Sequence, residues 1–255
     1  MERISASWVA ITDEPSPLMV YRASPAQGGT RPGLVLVHDA GGPSEHIEDV
    51  ARRLAKIGYE TVAPDMYSRI GRPDPTKIVS LRDKARSLAD DQLVTDLATC
   101  VRLLRGLPSS SGRVGIWGFS AGGRQALLLA CSEAAPVDAV VCCWAGLMYS
   151  ANYQEERTVN RPVPVVEMLP RLAAPLLLIG AAEDKDPAPA VIEDLRMRLD
   201  TAGKHVQARV FDGAGHAFFD DRLAAYRQPA AFELWKVAIT FLATHLKAGH
   251  GNPET

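Results

Sequence analysis

Short apolar runs alternate along the chain with stretches in which apolar side chains recur every three or four positions, the two periods that separate strands from helices. Residues 8–12 and 18–23, divided by Asp-Glu-Pro-Ser-Pro, read as two antiparallel strands of an opening hairpin. Residues 33–37 (GLVLV) form a continuous apolar run of strand length. Ser44 then caps a predicted helix through Ile57, with Ile47, Val50, Leu54 and Ile57 on one face and Gly58 as its stop. A further strand is predicted at 59–63, and a Pro-, Gly- and Arg-rich excursion at 64–75. Helical periodicity runs from 81 to 107, as one helix or two, and 108–112 is a loop. Strands follow at 113–117, 137–144, 175–179 and 206–211. Helices are predicted after the glycine-rich turn 118–123, at 189–202 and at 230–246, while 145–169 reads as irregular.

Strands that alternate with helices, several of them apolar throughout, predict an α/β fold: a mostly parallel central sheet, helices on both faces, and an antiparallel N-terminal hairpin. Residues 1–246 are expected to form a single domain, with 247–255 as a flexible tail. A length of 255 residues is ample for one core. With 28 basic and 30 acidic residues, the formal charge of −2 provides no broad positive field, so nucleic acid is not an expected partner. Cys100, Cys131, Cys142 and Cys143 lie in apolar runs without metal-site or disulfide spacing and read as buried thiols. Neither a membrane span nor an apolar leader is visible, which points to a cytoplasmic location. The pattern carries no sign of oligomeric state.

In a sheet of this kind, ligands sit beyond the carboxyl ends of the strands. The residues there are His38, Asp39, Asp65, Ser120, Glu183, Asp184, Asp186, Asp212 and His216. Ser120 is the centre of Gly118-x-Ser120-x-Gly122, between a buried strand and an apolar helix, where a sharp turn lifts a hydroxyl clear of the sheet. A serine is a weak nucleophile until a base removes its proton. His216, in a glycine-rich loop directly after a strand, is the favoured base, with His38 as its competitor. His46, in a first helical turn, is expected to face solvent. Asp184 is the favoured acid to orient the imidazole, with Glu183 and Asp186 as alternatives. Oxyanion donors are expected from the backbone amides of Ala121 and Ala40. Neither metal nor cofactor is called for.

The blocks GLVLVHDAGG, GYETVAPDMYSR, RVGIWGFSAGG, LLIGAAEDKDP and FDGAGHAFFDD, in register from about 33 to 246, resemble those of the dienelactone hydrolase family of α/β-hydrolases. The resemblance implies that fold and the hydrolysis of a small ester or lactone. Its acid and base match Asp184 and His216, and Ser120 stands where the family commonly has cysteine. Its early acidic residue matches Asp39, which here is expected to tune the site or hold the oxyanion loop. Members acting on dienelactone grip a substrate carboxylate with arginines. Arg69, Arg72, Arg124 and Arg222 are the candidates here, each with a solvated surface role as its alternative. Other readings left open are a catalytically silent binding module, or a peptide or thioester hydrolase, on the same scaffold.

Overall fold

A computed structural model describes residues 3–12, 15–74, 76–146, 148–150, 153–154 and 157–247. Chain order is β1 (Ile4–Ala10), β2 (Met19–Pro25), β3 (Arg31–Val37), α1 (Glu45–Lys56), β4 (Glu60–Pro64), α2 (Ile78–Ser87), α3 (Asp90–Gly106), β5 (Ser110–Phe119) and α4 (Ala121–Ala130). It continues with β6 (Ala139–Cys143), β7 (Met148–Ser150), β8 (Tyr153–Gln154), α5 (Val165–Met168), a 3-10 turn (Leu169–Arg171), β9 (Leu176–Ala181), α6 (Pro189–Thr201), β10 (Val206–Phe211) and α7 (Gln228–Leu246). Eight strands form one sheet in the order β1-β2-β4-β3-β5-β6-β9-β10. Within this sheet the pairs β1/β2 and β2/β4 are antiparallel and the others parallel, while β7 and β8 pair antiparallel in a sheet of their own.

The apolar strands are apolar because both of their faces are covered. In β3, Val35 and Val37 join one core with α3, α4 and α6, whereas Leu34 and Leu36 join the opposite core with α1 and α7. β9 alternates in the same way, with Leu176 and Leu178 on the first side and Leu177 and Ile179 on the second. α1 begins as predicted: Ser44 Oγ accepts from the Ile47 amide, and Glu45 and Glu48 occupy the positive end of the helix.

After β3 the chain steps outward to β4, then crosses back to place β5 on the other side of β3. Such a reversal leaves a crevice at the strands' carboxyl ends. It sets the end of β3 and His38 beside Gly118 and Gly122.

The differences from expectation are local. β1 starts at Ile4 rather than Trp8, because its register against β2 runs from Ile4/Pro25 to Ala10/Met19. Its serines disguise it as loop. β5 extends back to Ser110, which pairs with Arg31 across a bulge. The long helical stretch is two helices, broken where Leu88 and Ala89 are extended. The supposedly irregular stretch contains β7, β8 and α5. Residues 13, 14 and 75, in the predicted hairpin turn and excursion, and 248–255 of the predicted tail lie outside the described residues. Among the described residues, no helix is long and apolar enough to cross a membrane.

Candidate active site

β5 ends at Phe119 and α4 begins at Ala121, so the whole turn is Ser120, with φ 51° and ψ −115°. Two flanking glycines permit it. A Cβ on Gly118 would overlap the Gly122 carbonyl, and one on Gly122 would overlap the carbonyls of Val37 and His38. The nucleophile-type turn therefore rests main chain against main chain on the end of β3. The Ser120 amide donates to Cys143 O (2.9 Å), and Ser120 O accepts from Gly123 N (2.9 Å), which fixes the turn on both sides. Ala121 is the first residue of α4, and its amide has no intrahelical acceptor.

Past β9, Asp184 is buried while its neighbour Glu183 is exposed. Asp184 Oδ1 accepts from the Asp186 amide (3.0 Å), and Oδ2 lies 2.8 Å from His216 Nδ1. On the other side of that ring, Nε2 is 3.1 Å from Ser120 Oγ. The geometry corresponds to Nδ1–H donating to the carboxylate and the serine hydroxyl donating to Nε2. Asp186, the other alternative acid, faces Arg82 instead, at 3.5 Å. The structure thus brings Ser120, His216 and Asp184 into one hydrogen-bonded line from three strand ends.

His216 also meets the edge of the buried Trp144 ring, at 6.3 Å between centroids. Trp144 was not singled out by sequence, although its position just after β6 could have flagged it. Among the described residues, the non-glycine positions with positive φ are Ser120, Trp144 and Ala217, at 51°, 38° and 60°. All three lie at this line of contacts. Such conformations cost about 1–3 kcal/mol each and persist where packing enforces them.

The loop after β3 closes the other side. Asp39 Oδ1 accepts from the Gly41 amide (2.7 Å), the loop-holding contact expected of it. His38 is buried, and both its ring nitrogens are engaged by backbone: Nδ1 with Asp39 O (2.6 Å), Nε2 with the Met66 amide (3.1 Å). Burial depresses its pKa, with the carboxylates of Asp39 and Asp65 opposing. An imidazole so committed is not free to serve as a base.

The arginines are paired. Arg69 meets Asp96 at 2.7 Å, Arg72 meets Asp65 at 3.0 Å, and Arg222 lies on Asp220, at 2.9 Å from Nε and 2.5 Å from Nη2. Arg124 departs most from expectation. It is buried, and its two Nη atoms donate to the two Asp90 oxygens at 2.8 and 3.0 Å. Neither a surface cation nor an open carboxylate clamp describes it. His46 is also corrected: it is buried against Phe219, at 5.2 Å between centroids, rather than solvent-facing. Burial lowers its pKa against the pull of Asp220 and Asp221. Among the described residues, His46, Asp220 and Asp221 are the group close enough to share a metal ion, but the Asp220 carboxylate is already engaged by Arg222. The four cysteines are buried, as expected.

The model of the dienelactone hydrolase family matches residues 18–246. A protein of Methylorubrum extorquens carrying the name carboxymethylenebutenolidase is 32% identical over 237 residues, spanning 91% of this chain and 78% of its own. One of Bradyrhizobium, named as a 2-oxo-3-(5-oxofuran-2-ylidene)propanoate lactonase, is 30% identical over 249 residues, 96% of each chain. A crystal structure from Klebsiella pneumoniae described as a dienelactone hydrolase superposes with a TM-score of 0.84 at 28% identity, covering 94% of this chain and 99% of that one.

Proposed function

The chain belongs to the dienelactone hydrolase family and is an ester or lactone hydrolase of that type, and on that premise we propose that Ser120 is its nucleophile, His216 its general base and Asp184 the carboxylate that orients the imidazole. The observation that carries this reading is the unbroken line from Ser120 Oγ through His216 to Asp184, at 3.1 and 2.8 Å. Ser120 Oγ attacks the substrate carbonyl carbon while His216 Nε2 takes the hydroxyl proton. Asp184 holds Nδ1–H and stabilises the imidazolium without itself taking the proton. The carbonyl oxygen becomes an oxyanion, received by the amides of Ala121 and Ala40. As the tetrahedral intermediate collapses, the C–O bond to the leaving alcohol breaks and His216 returns the proton to it. In a lactone this opens the ring, and the freed alcohol stays attached to the acyl group. A water then gives His216 a proton as its oxygen attacks the acyl carbon; the bond from that carbon to Ser120 Oγ breaks, His216 returns the proton to Oγ, and the acid is released.

A serine at this position changes what the early carboxylate has to do. Unlike a thiol, the hydroxyl has no resting ionised form to stabilise, so Asp39 serves by holding Gly41 rather than by activating the nucleophile. The substrate is a small ester or lactone, as the names of the relatives suggest, and the site of action is the cytoplasm. No nucleic acid, metal or cofactor enters the mechanism.

Turnover of short p-nitrophenyl esters tests the reading together with fluorophosphonate labelling. Wild type is expected to hydrolyse the ester and to label at Ser120. Ser120→Ala is expected to lose about 10⁴-fold or more in kcat while staying folded, by the scale of nucleophile deletions in serine hydrolases. A wild type that neither labels nor turns over rejects the mechanism and favours a silent scaffold, whereas turnover surviving in Ser120→Ala rejects Ser120 as the nucleophile.

A further inference from the structure

The loop between β3 and α1 contains three successive amides, those of Ala40, Gly41 and Gly42, close to Ser120's turn. Two are committed within the loop: Gly41 N–H donates to Asp39 Oδ1 (2.7 Å), and Gly42 N–H donates to Asp39 O (3.2 Å). Among the described residues, the Ala40 amide has no protein acceptor. It belongs to the Asp39–Ala40 peptide, and in a trans peptide the N–H points opposite to the C=O. Whatever fixes the Asp39 carbonyl therefore aims the Ala40 amide.

That carbonyl accepts from two donors, the Gly42 amide at 3.2 Å and, at closer range, His38. Because Met66 N–H donates to Nε2, Nε2 must be the acceptor nitrogen of a neutral ring, and Nδ1 must carry the hydrogen it gives to Asp39 O at 2.6 Å. The next peptide is held as well. Tyr67, whose ring lies 5.3 Å from that of His38, donates its hydroxyl to Ala40 O at 2.9 Å. The far side of the loop is anchored where the His38 and Val37 carbonyls receive Gly122. We propose that His38 is a positioning residue for the oxyanion donor: its Nδ1–H holds the Asp39–Ala40 peptide plane so that the Ala40 amide faces the oxygen that becomes negative on attack by Ser120, and Tyr67 locks the following peptide. This inference rests on the Ser120 mechanism and adds a residue that never touches substrate.

The two ring nitrogens can be tested separately. In His38→Asn the side-chain amide nitrogen stands near Nδ1 and can still donate to Asp39 O, at the expense of the contact to Met66. In His38→Gln the terminal amide reaches instead to the Nε2 position and can serve Met66, but the donor to Asp39 O is lost. Both variants are assayed on a p-nitrophenyl ester, with thermal melts to record folding. The expected result is that His38→Gln loses about 10- to 100-fold in kcat with KM nearly unchanged, below the ~10²–10³-fold typical of deleting a donor outright. His38→Asn is expected to retain kcat within a few-fold. A purely structural role predicts equal losses in the two, or a loss following the melting temperature, and either result overturns the inference. If neither variant folds, Tyr67→Phe decides: a several-fold fall in kcat at constant KM supports the lock, and unchanged kcat overturns it. Failure of the underlying mechanism looks different, because then wild type itself neither turns over nor labels, or Ser120→Ala stays active.

Discussion

At the scale of single residues, Asp184 is where sequence and geometry were hardest to connect. Three carboxylates lie within four positions after β9, and period alone does not say which one turns inward. The structure distinguishes them by burial and by the 2.8 Å contact to His216. Asp184→Asn is expected to lower kcat by about 10²- to 10⁴-fold, because an amide can present its N–H to Nδ1 and favour the wrong tautomer. Steady-state kinetics on a soluble ester would measure this, and retention of most activity would remove Asp184 from the mechanism. Ser120 and His216 were legible because each follows a strand in a glycine-rich setting. The fates of His46 and Arg124 were not. Their partners, Phe219 and Asp90, lie far away in the chain and meet them only after folding.

At the scale of elements, the strand-turn-helix from β5 to α4 shows why the glycines are where they are. Gly122 is constrained by space: the carbonyls of Val37 and His38 occupy the volume of any side chain. Gly122→Ala is expected to destabilise the fold by about 3 kcal/mol, at the upper end for overpacking, since main chain rather than a flexible side chain must yield. Chemical denaturation measures it, and a change below about 0.5 kcal/mol would show that α4 can slide without cost. Alternation and apolar runs made most of the central strands visible from sequence, with ends uncertain by a few residues. β1 was partly concealed because an edge strand needs little apolar content, and β7 and β8 because two- and three-residue strands carry too few positions for a period to show.

For the whole molecule, two buried imidazoles set a limit towards acid. His38 and His46 both have pKa values lowered from 6.5, chiefly by burial. The unfolded chain therefore takes up protons at these positions more readily than the folded one, and stability must rise with pH across that interval. The contribution is fully present above about 6.5 and is lost as pH falls from there towards each lowered value. Melting temperatures at pH 8 and pH 5.5 should differ in that direction, and His46→Phe should flatten part of the slope. An unchanged melting temperature over this range would contradict the assigned burial. The architecture as a whole was readable because alternating strands and helices leave few alternatives, whereas the walls above the sheet were not, since they follow no period. The seat of Gly122 on the end of β3 has one more consequence. As the joint is built from peptide groups alone, drift in nearby side chains leaves its dimensions alone, so the machinery for cleaving an acyl bond is insulated from the choice of molecule cleaved. New preferences have to be written outside that joint, so a library that spares the glycine seat and the residues holding the Asp39–Ala40 peptide would change the menu without touching the knife.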